Sequence, residues 1–155
     1  MKRKKFTFLL ALALALGASA QDKVAQDKGT WRAASKTAES ITGDVTLGGE
    51  RVTIDFATFP IAEIRPLKDA EAVALFPVEP GTVGNGNVYR VSIPAAQKFQ
   101  HKNTLCGGDE TDWMVSFVSG RSLQLAFFSG KKMPEISSEA LATTSSLCGT
   151  FTYSR

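Results

Sequence analysis

The strongest constraint on this chain is a side-chain alternation of period two that is interrupted by glycine-containing turns. From Ile41 to Leu47, Ile41, Gly43, Val45 and Leu47 fall on one side and Thr42, Asp44 and Thr46 on the other. Successive side chains of an extended strand point to opposite faces, so the pattern predicts a strand with one buried and one wet face. Gly48-Gly49-Glu50 follows at once, and Arg51 to Phe56 alternates again with Val52, Ile54 and Phe56 on the apolar side. Two such runs across a tight glycine turn predict a β-hairpin.

The rest of the chain continues in the same style. Thr30 to Ser35 reads as a first strand carrying Trp31, and Ala38 to Ser40 as a short turn. In Phe59 to Pro66, Phe59 and Ile61 are out of phase with Ile64 and two prolines weaken ladder pairing, which predicts an edge strand or a bulged one. Lys68 to Phe76 spaces Ala70, Val73, Ala74 and Leu75 at roughly helical intervals but is short and stops at Pro77. It is read as a loop plus a short strand, with one helical turn as the alternative. Pro80 to Asn87 is dense in turn formers and predicts a loop. Val88 to Ile93 alternates up to Pro94, Trp113 to Val118 and Ser122 to Phe128 make a second hairpin across Ser119-Gly120-Arg121, and a last strand starts at Cys148. About eight strands and no long helix predict an all-β domain, a small antiparallel barrel or sandwich. A final strand paired with the first would remove an exposed edge.

The N-terminus follows a different logic. Lys2, Arg3, Lys4 and Lys5 precede an uncharged run from Phe6 to Leu16, and Ala18-Ser19-Ala20 gives small residues before the polar Gln21-Asp22-Lys23. This is the tripartite form of a secretory signal, with cleavage expected after Ala20. The alternative, a membrane anchor, needs about 20 apolar residues, more than this run offers. Residues 21–28 lack hydrophobic periodicity and read as a flexible leader, which leaves 29–155 as a single β domain. A periplasmic or secreted location follows.

Removing residues 1–20 takes away four of the 18 cations and none of the 15 anions, so the mature chain has a net charge of −1. That balance, with no Lys/Arg stripe, argues against a nucleic-acid partner. The two cysteines of an exported chain predict one bridge, Cys106–Cys148. Closing that loop is worth up to about 4 kcal/mol on a chain-entropy model. One histidine and two distant cysteines do not make a zinc set, and no metal or cofactor is expected.

Chemistry-bearing residues are few. His101 is the one histidine and lies in a polar stretch between Lys98 and Lys102, which reads as a solvated loop position. Asp109, Glu110 and Asp112 cluster after Cys106 without the spaced oxygen ligands and glycine of a calcium loop, which reads as a charged hairpin entry or a capping turn. Gly84 and Gly86 lack the Lys-Ser/Thr ending of a phosphate loop. The aromatics mostly belong to the core. If a barrel mouth is open, Trp31, Trp113 and Phe128 are the candidate ligand-binding residues, and of the adjacent Phe127 and Phe128 one is expected at the surface.

With Thr30-Trp31, Ile41 to Asp44, and the paired Leu105-Cys106-Gly107 and Leu147-Cys148-Gly149 laid out, the chain resembles a group of small exported bacterial proteins without assigned activity. In architecture alone the pattern is similar to lipocalin-type barrels and to the barrels of periplasmic lysozyme inhibitors. That likeness transfers no site; export, a disulfide-closed β domain and the absence of a catalytic constellation point to a non-catalytic binding or inhibitor-like protein, with a small ligand or an envelope or host protein as partner. The alternatives are a hydrolase using His101 with Asp109, Glu110 and Asp112, and a structural envelope protein.

Overall fold

The structure, a computed structural model, describes residues 27–155. The expected signal segment and most of the expected leader lie outside the described residues. Eight antiparallel strands close into a barrel in sequence order. They are β1 Gly29–Ala33, β2 Val45–Leu47, β3 Arg51–Ile54, β4 Ala57–Pro66, β5 Asn85–Ile93, β6 Thr111–Ser119, β7 Ser122–Phe128 and β8 Leu147–Ser154. The last strand meets the first through Arg32↔Ser154 and Ala33↔Tyr153, so no edge is left there. Both predicted hairpins form, β2–β3 with Leu47 opposite Val52 and β6–β7 with Ser119 opposite Ser122.

Two strands change partners along their length. Gly29 to Trp31 pair with β2 while Arg32 and Ala33 pair with β8. Ala57 to Pro60 pair with β3, and Ile61 to Pro66 continue along β5 with a bulge between Glu63 and Arg65. Pro60 sits at the changeover, where a residue without an N–H costs the ladder least. The barrel thus has a four-stranded half, β1–β4, and a larger half built on β5–β8.

The interior is filled by Trp31, Tyr153, Phe127, Phe151, Met114 and Leu125, all under 2 % exposed, together with the inward residues of β2–β5. Tyr153 places its hydroxyl 2.6 Å from the Thr42 hydroxyl. Burial holds that phenol protonated well above its usual range. A second apolar layer lies outside β5–β8, where Val88, Trp113, Val115, Phe117, Ala126 and Phe128 are covered by Ala72, Leu75, Phe76 and Ile136. The covering elements are helices α1 Asp69–Leu75 and α2 Ser138–Thr143. The disulfide Cys106–Cys148, with Cα atoms 4.9 Å apart, ties the approach to β6 to the start of β8. Among the described residues, no helix is long and apolar enough to cross a membrane.

Several expectations are corrected. Lys68 to Phe76 is helical from Asp69 to Leu75 rather than loop and strand. Glu71 accepts from the Lys68 amide at 2.9 Å, and its two oxygens take both Arg65 nitrogens at 2.8 Å, so the first turn is capped and anchored. Ile41 and Thr42 belong to a wide helical turn, Ala38–Thr42, closed by Gly43 N–H donating to Ala38 O, and the strand begins only at Val45. Asn85 to Asn87 are strand rather than loop. Their glycine is steric in origin: a Cβ on Gly86 would stand 2.2 Å from the Ser116 carbonyl oxygen and 2.9 Å from Leu67. Phe56 leaves the core face for a turn and is 96 % exposed. Phe127 and Phe128 do face opposite sides, yet neither reaches solvent, because the outer side of β7 lies under the second apolar layer.

Candidate functional site

The β3–β4 connection is as short as a hairpin allows. Ile54 is opposite Ala57, leaving Asp55 and Phe56 as the two loop residues, with φ of 46° and 67°. A two-residue loop that matches strand twist demands positive φ at both positions, which is why Asn-Gly or Gly-Gly are the usual occupants. An aromatic there is conformationally costly, on the order of 1–3 kcal/mol. Among the described residues, the other two non-glycine positions with positive φ, His101 and Lys102 at 53° and 62°, lie in the short helical turn Gln100–Lys102 at the same end of the barrel. Gln100 connects the two turns by donating to the Asp55 carboxylate at 2.6 Å. His101 Nδ1 and the Asn103 amide both approach the Ser40 carbonyl oxygen at 3.1 Å, tying this turn to the helical turn at residues 38–42.

Between these turns and the outer face of β1–β3 lies an open groove of about 690 Å³. Its floor is a row of hydroxyls set by register: Thr30 is opposite Thr46, Thr46 opposite Thr53, and Thr53 opposite Thr58. Thr30 and Thr46 are hydrogen-bonded at 3.0 Å, and Thr53 and Thr58 at 2.9 Å. Asp44 lies at one wall, with one carboxylate oxygen accepting from the Ala33 amide at 2.9 Å. Asp55, Glu39 and Arg32 add charge, Gln100 adds an amide, and Phe56 stands at the rim. The groove therefore offers donors and acceptors on its floor and walls and one exposed ring at its edge.

The residues expected to bind a ligand lie elsewhere. Trp31 is fully buried in the barrel, and its Nε1 donates to the Asp27 carbonyl at 2.8 Å. Trp113 lies in the outer layer under the Arg90 guanidinium, 4.8 Å from its ring, with Nε1 donating to Gly130 O. Phe128 is fully buried in that same layer. The three share no surface. Asp27 and Lys28, the last two residues of the expected leader, are tied to the barrel: Tyr89 donates to the Asp27 carboxylate at 2.8 Å, and Arg155 donates to Lys28 O.

The carboxylates after Cys106 serve a local network. Asp112 is nearly buried and accepts from Arg90 at 2.8 Å, from Lys131 at 3.0 Å and from the Gly130 amide at 3.0 Å, and Lys131 also reaches Glu110. Among the described residues, no hydrogen bond or ion pair joins His101 to Asp109, Glu110 or Asp112. The groove itself was missed by sequence reasoning. Its one sequence signal was the pair Asp55-Phe56, wedged between two alternating runs with no glycine to make the turn.

Comparison of the chain with protein-family models, with curated proteins and with solved structures gives no match. The small barrel with one disulfide agrees with the strand pattern and cysteine count of the sequence, and no family is shown.

Proposed function

We propose that this is an exported, non-catalytic binding protein that works through the groove beside the β3–β4 turn. In this reading residues 1–20 are a signal cleaved after Ala20, residues 21–28 lead into the domain, and the mature protein acts in the periplasm or outside the cell. A disulfide-closed barrel suits an oxidising compartment. The observation that carries the reading is Phe56, a large apolar side chain 96 % exposed in a backbone conformation that glycine would hold at less cost. An aromatic there runs against both solvation and backbone preference, and a role in contact accounts for that combination. Trp31, Trp113 and Phe128 support the scaffold from within.

The test is a thermal-shift screen of the processed protein against small ligands and purified envelope and host hydrolases, repeated with Phe56→Gly. A binder whose shift is lost in the variant supports the groove. Binders that are indifferent to Phe56→Gly place the contact surface elsewhere. Mass spectrometry of the exported chain should begin at Gln21, and an intact N-terminus would remove the export step.

A further inference from the structure

The chemistry of the groove also narrows what it holds, provided the groove reading above is right. We propose that it binds a saccharide chain of neutral or amino sugars, with the Phe56 ring as the stacking platform at its rim. A sugar ring presents two unlike surfaces: edges of neighbouring hydroxyls that each need a donor and an acceptor, and C–H faces that seek an apolar plane.

The groove supplies both in the right places. Thr30, Thr46 and Thr53 line its floor with hydroxyls on successive strands, about 4.8 Å apart by sheet geometry; all keep acceptor capacity, and since the Thr30–Thr46 hydrogen bond uses one O–H of the two, the other O–H is left to donate to a ligand. Asp44 and Asp55 each use one carboxylate oxygen within the fold, for the Ala33 amide and for Gln100, and the second oxygen of each has no protein donor among the described residues. Free acceptors paired with hydroxyl donors are what a diol edge requires. Among the described residues, Phe56 offers the one exposed phenyl ring.

Two features favour a saccharide over a protein partner. The centre of a protein–protein contact is apolar and depleted in charge, with its anchors in desolvated pockets. Here the centre is a hydroxyl floor and the apolar group stands at the edge. The groove size, about 690 Å³, also falls within the range of small-molecule sites. Charge sets the sugar type: Glu39, Asp44 and Asp55 face a single guanidinium, Arg32, so uronates and phosphorylated sugars are repelled. The tight turn and the Gln100–Asp55 hydrogen bond order the backbone that carries the ring before binding, which lowers the ordering cost of binding.

The experiment is an NMR titration of the ¹⁵N-labelled, disulfide-bonded protein with cellotetraose, with a glucosamine tetramer, and with oligogalacturonate as the anionic control. The expected result is fast-exchange shifts at Thr46, Thr53, Asp55 and Phe56 with the neutral or the amino sugar and none with the uronate. Phe56→Gly, which keeps the turn, should weaken binding about fivefold to tenfold, the effect of losing one stacked ring. Absence of shifts with both sugars at millimolar concentration, or shifts confined to other faces, overturns the saccharide inference. If the sugars fail while a protein or other ligand binds in a Phe56-dependent way, the groove reading survives and only its ligand changes. If every ligand found is indifferent to Phe56→Gly, both fall.

Discussion

Eight consecutive residues of β6, Thr111 to Val118, are buried, whereas β2 and β3 bury only every second residue. The difference comes from the connections. β2 to β3 and β3 to β4 are joined by tight turns that have no length to spare, so the outer face of β1–β4 stays bare and carries threonines. Residues 67–84 and 129–146, between β4 and β5 and between β7 and β8, are long enough to fold α1 and α2 back across the outside of the larger half. One half is therefore a barrel wall with two cores, and the other is a wall with one core and a polar exterior free to meet a ligand. Stability is concentrated where the wall is covered, and the proposed binding groove lies where it is not.

The largest test of that contrast is Phe128→Ala. Phe128 lies wholly within the outer layer, opposite Trp113 on β6, and truncation should cost about 3–5 kcal/mol in urea unfolding followed by tryptophan fluorescence. A loss below about 1 kcal/mol would mean that the cover is loosely packed and is no second core.

An intermediate effect is expected at the anchor of α1. Burial opposes the Glu71 charge, but the two hydrogen bonds from Arg65 and the one from the Lys68 amide outweigh it, so its carboxyl stays below the ordinary value of 4.5. A carboxylate held down in the folded state stabilises it fully above that ordinary value, and the contribution is lost as pH falls through the lower folded value. Glu71→Gln should cost about 1–2 kcal/mol at neutral pH, given that Arg65 is partly exposed. Its deficit against the parent protein should shrink in acid, and a deficit independent of pH would show that the pair contributes through shape alone.

The smallest effect on stability belongs to the bare half. Phe56→Gly should lower stability by no more than about 0.5 kcal/mol and can raise it by about 1 kcal/mol, because it removes no packed contact and relieves the strain of the positive φ, an effect partly offset by the larger chain entropy of glycine when unfolded. A loss approaching that of Phe128→Ala would show that the ring packs against the protein, and would blur the line between the two halves.

Legibility in the sequence divides along the same boundary. On β2 and β3 the alternation of Val45, Leu47, Val52 and Ile54 against polar neighbours corresponds to one wet face, and the strands were readable from it. On β6 and β7 both faces are buried, so the largely apolar runs Trp113 to Val118 and Leu123 to Phe128 mark strands but do not mark which face meets water. Phe127 and Phe128 illustrate the cost, since the pattern implied that one is exposed and the structure buries both. The capping of α1 depends on Arg65 reaching Glu71 from the end of β4, a contact that local spacing only hints at. The groove was illegible because its floor comes from three strands: no stretch of sequence brings Thr30, Thr46 and Thr53 together, and only register does.

By itself the sequence determined that this chain forms about eight antiparallel strands with a bridge between Cys106 and Cys148, because strand periodicity and cysteine count act locally or nearly so. The tertiary structure alone decided that the strands close into a barrel rather than a sandwich, that one outer face is covered and the other bare, and that Asp55 and Phe56 form a turn above a row of threonines. Those outcomes depend on which segments meet across long separations, and the free energy that selects them, burial of apolar surface with satisfied backbone hydrogen bonds, belongs to the assembled layers rather than to any one segment.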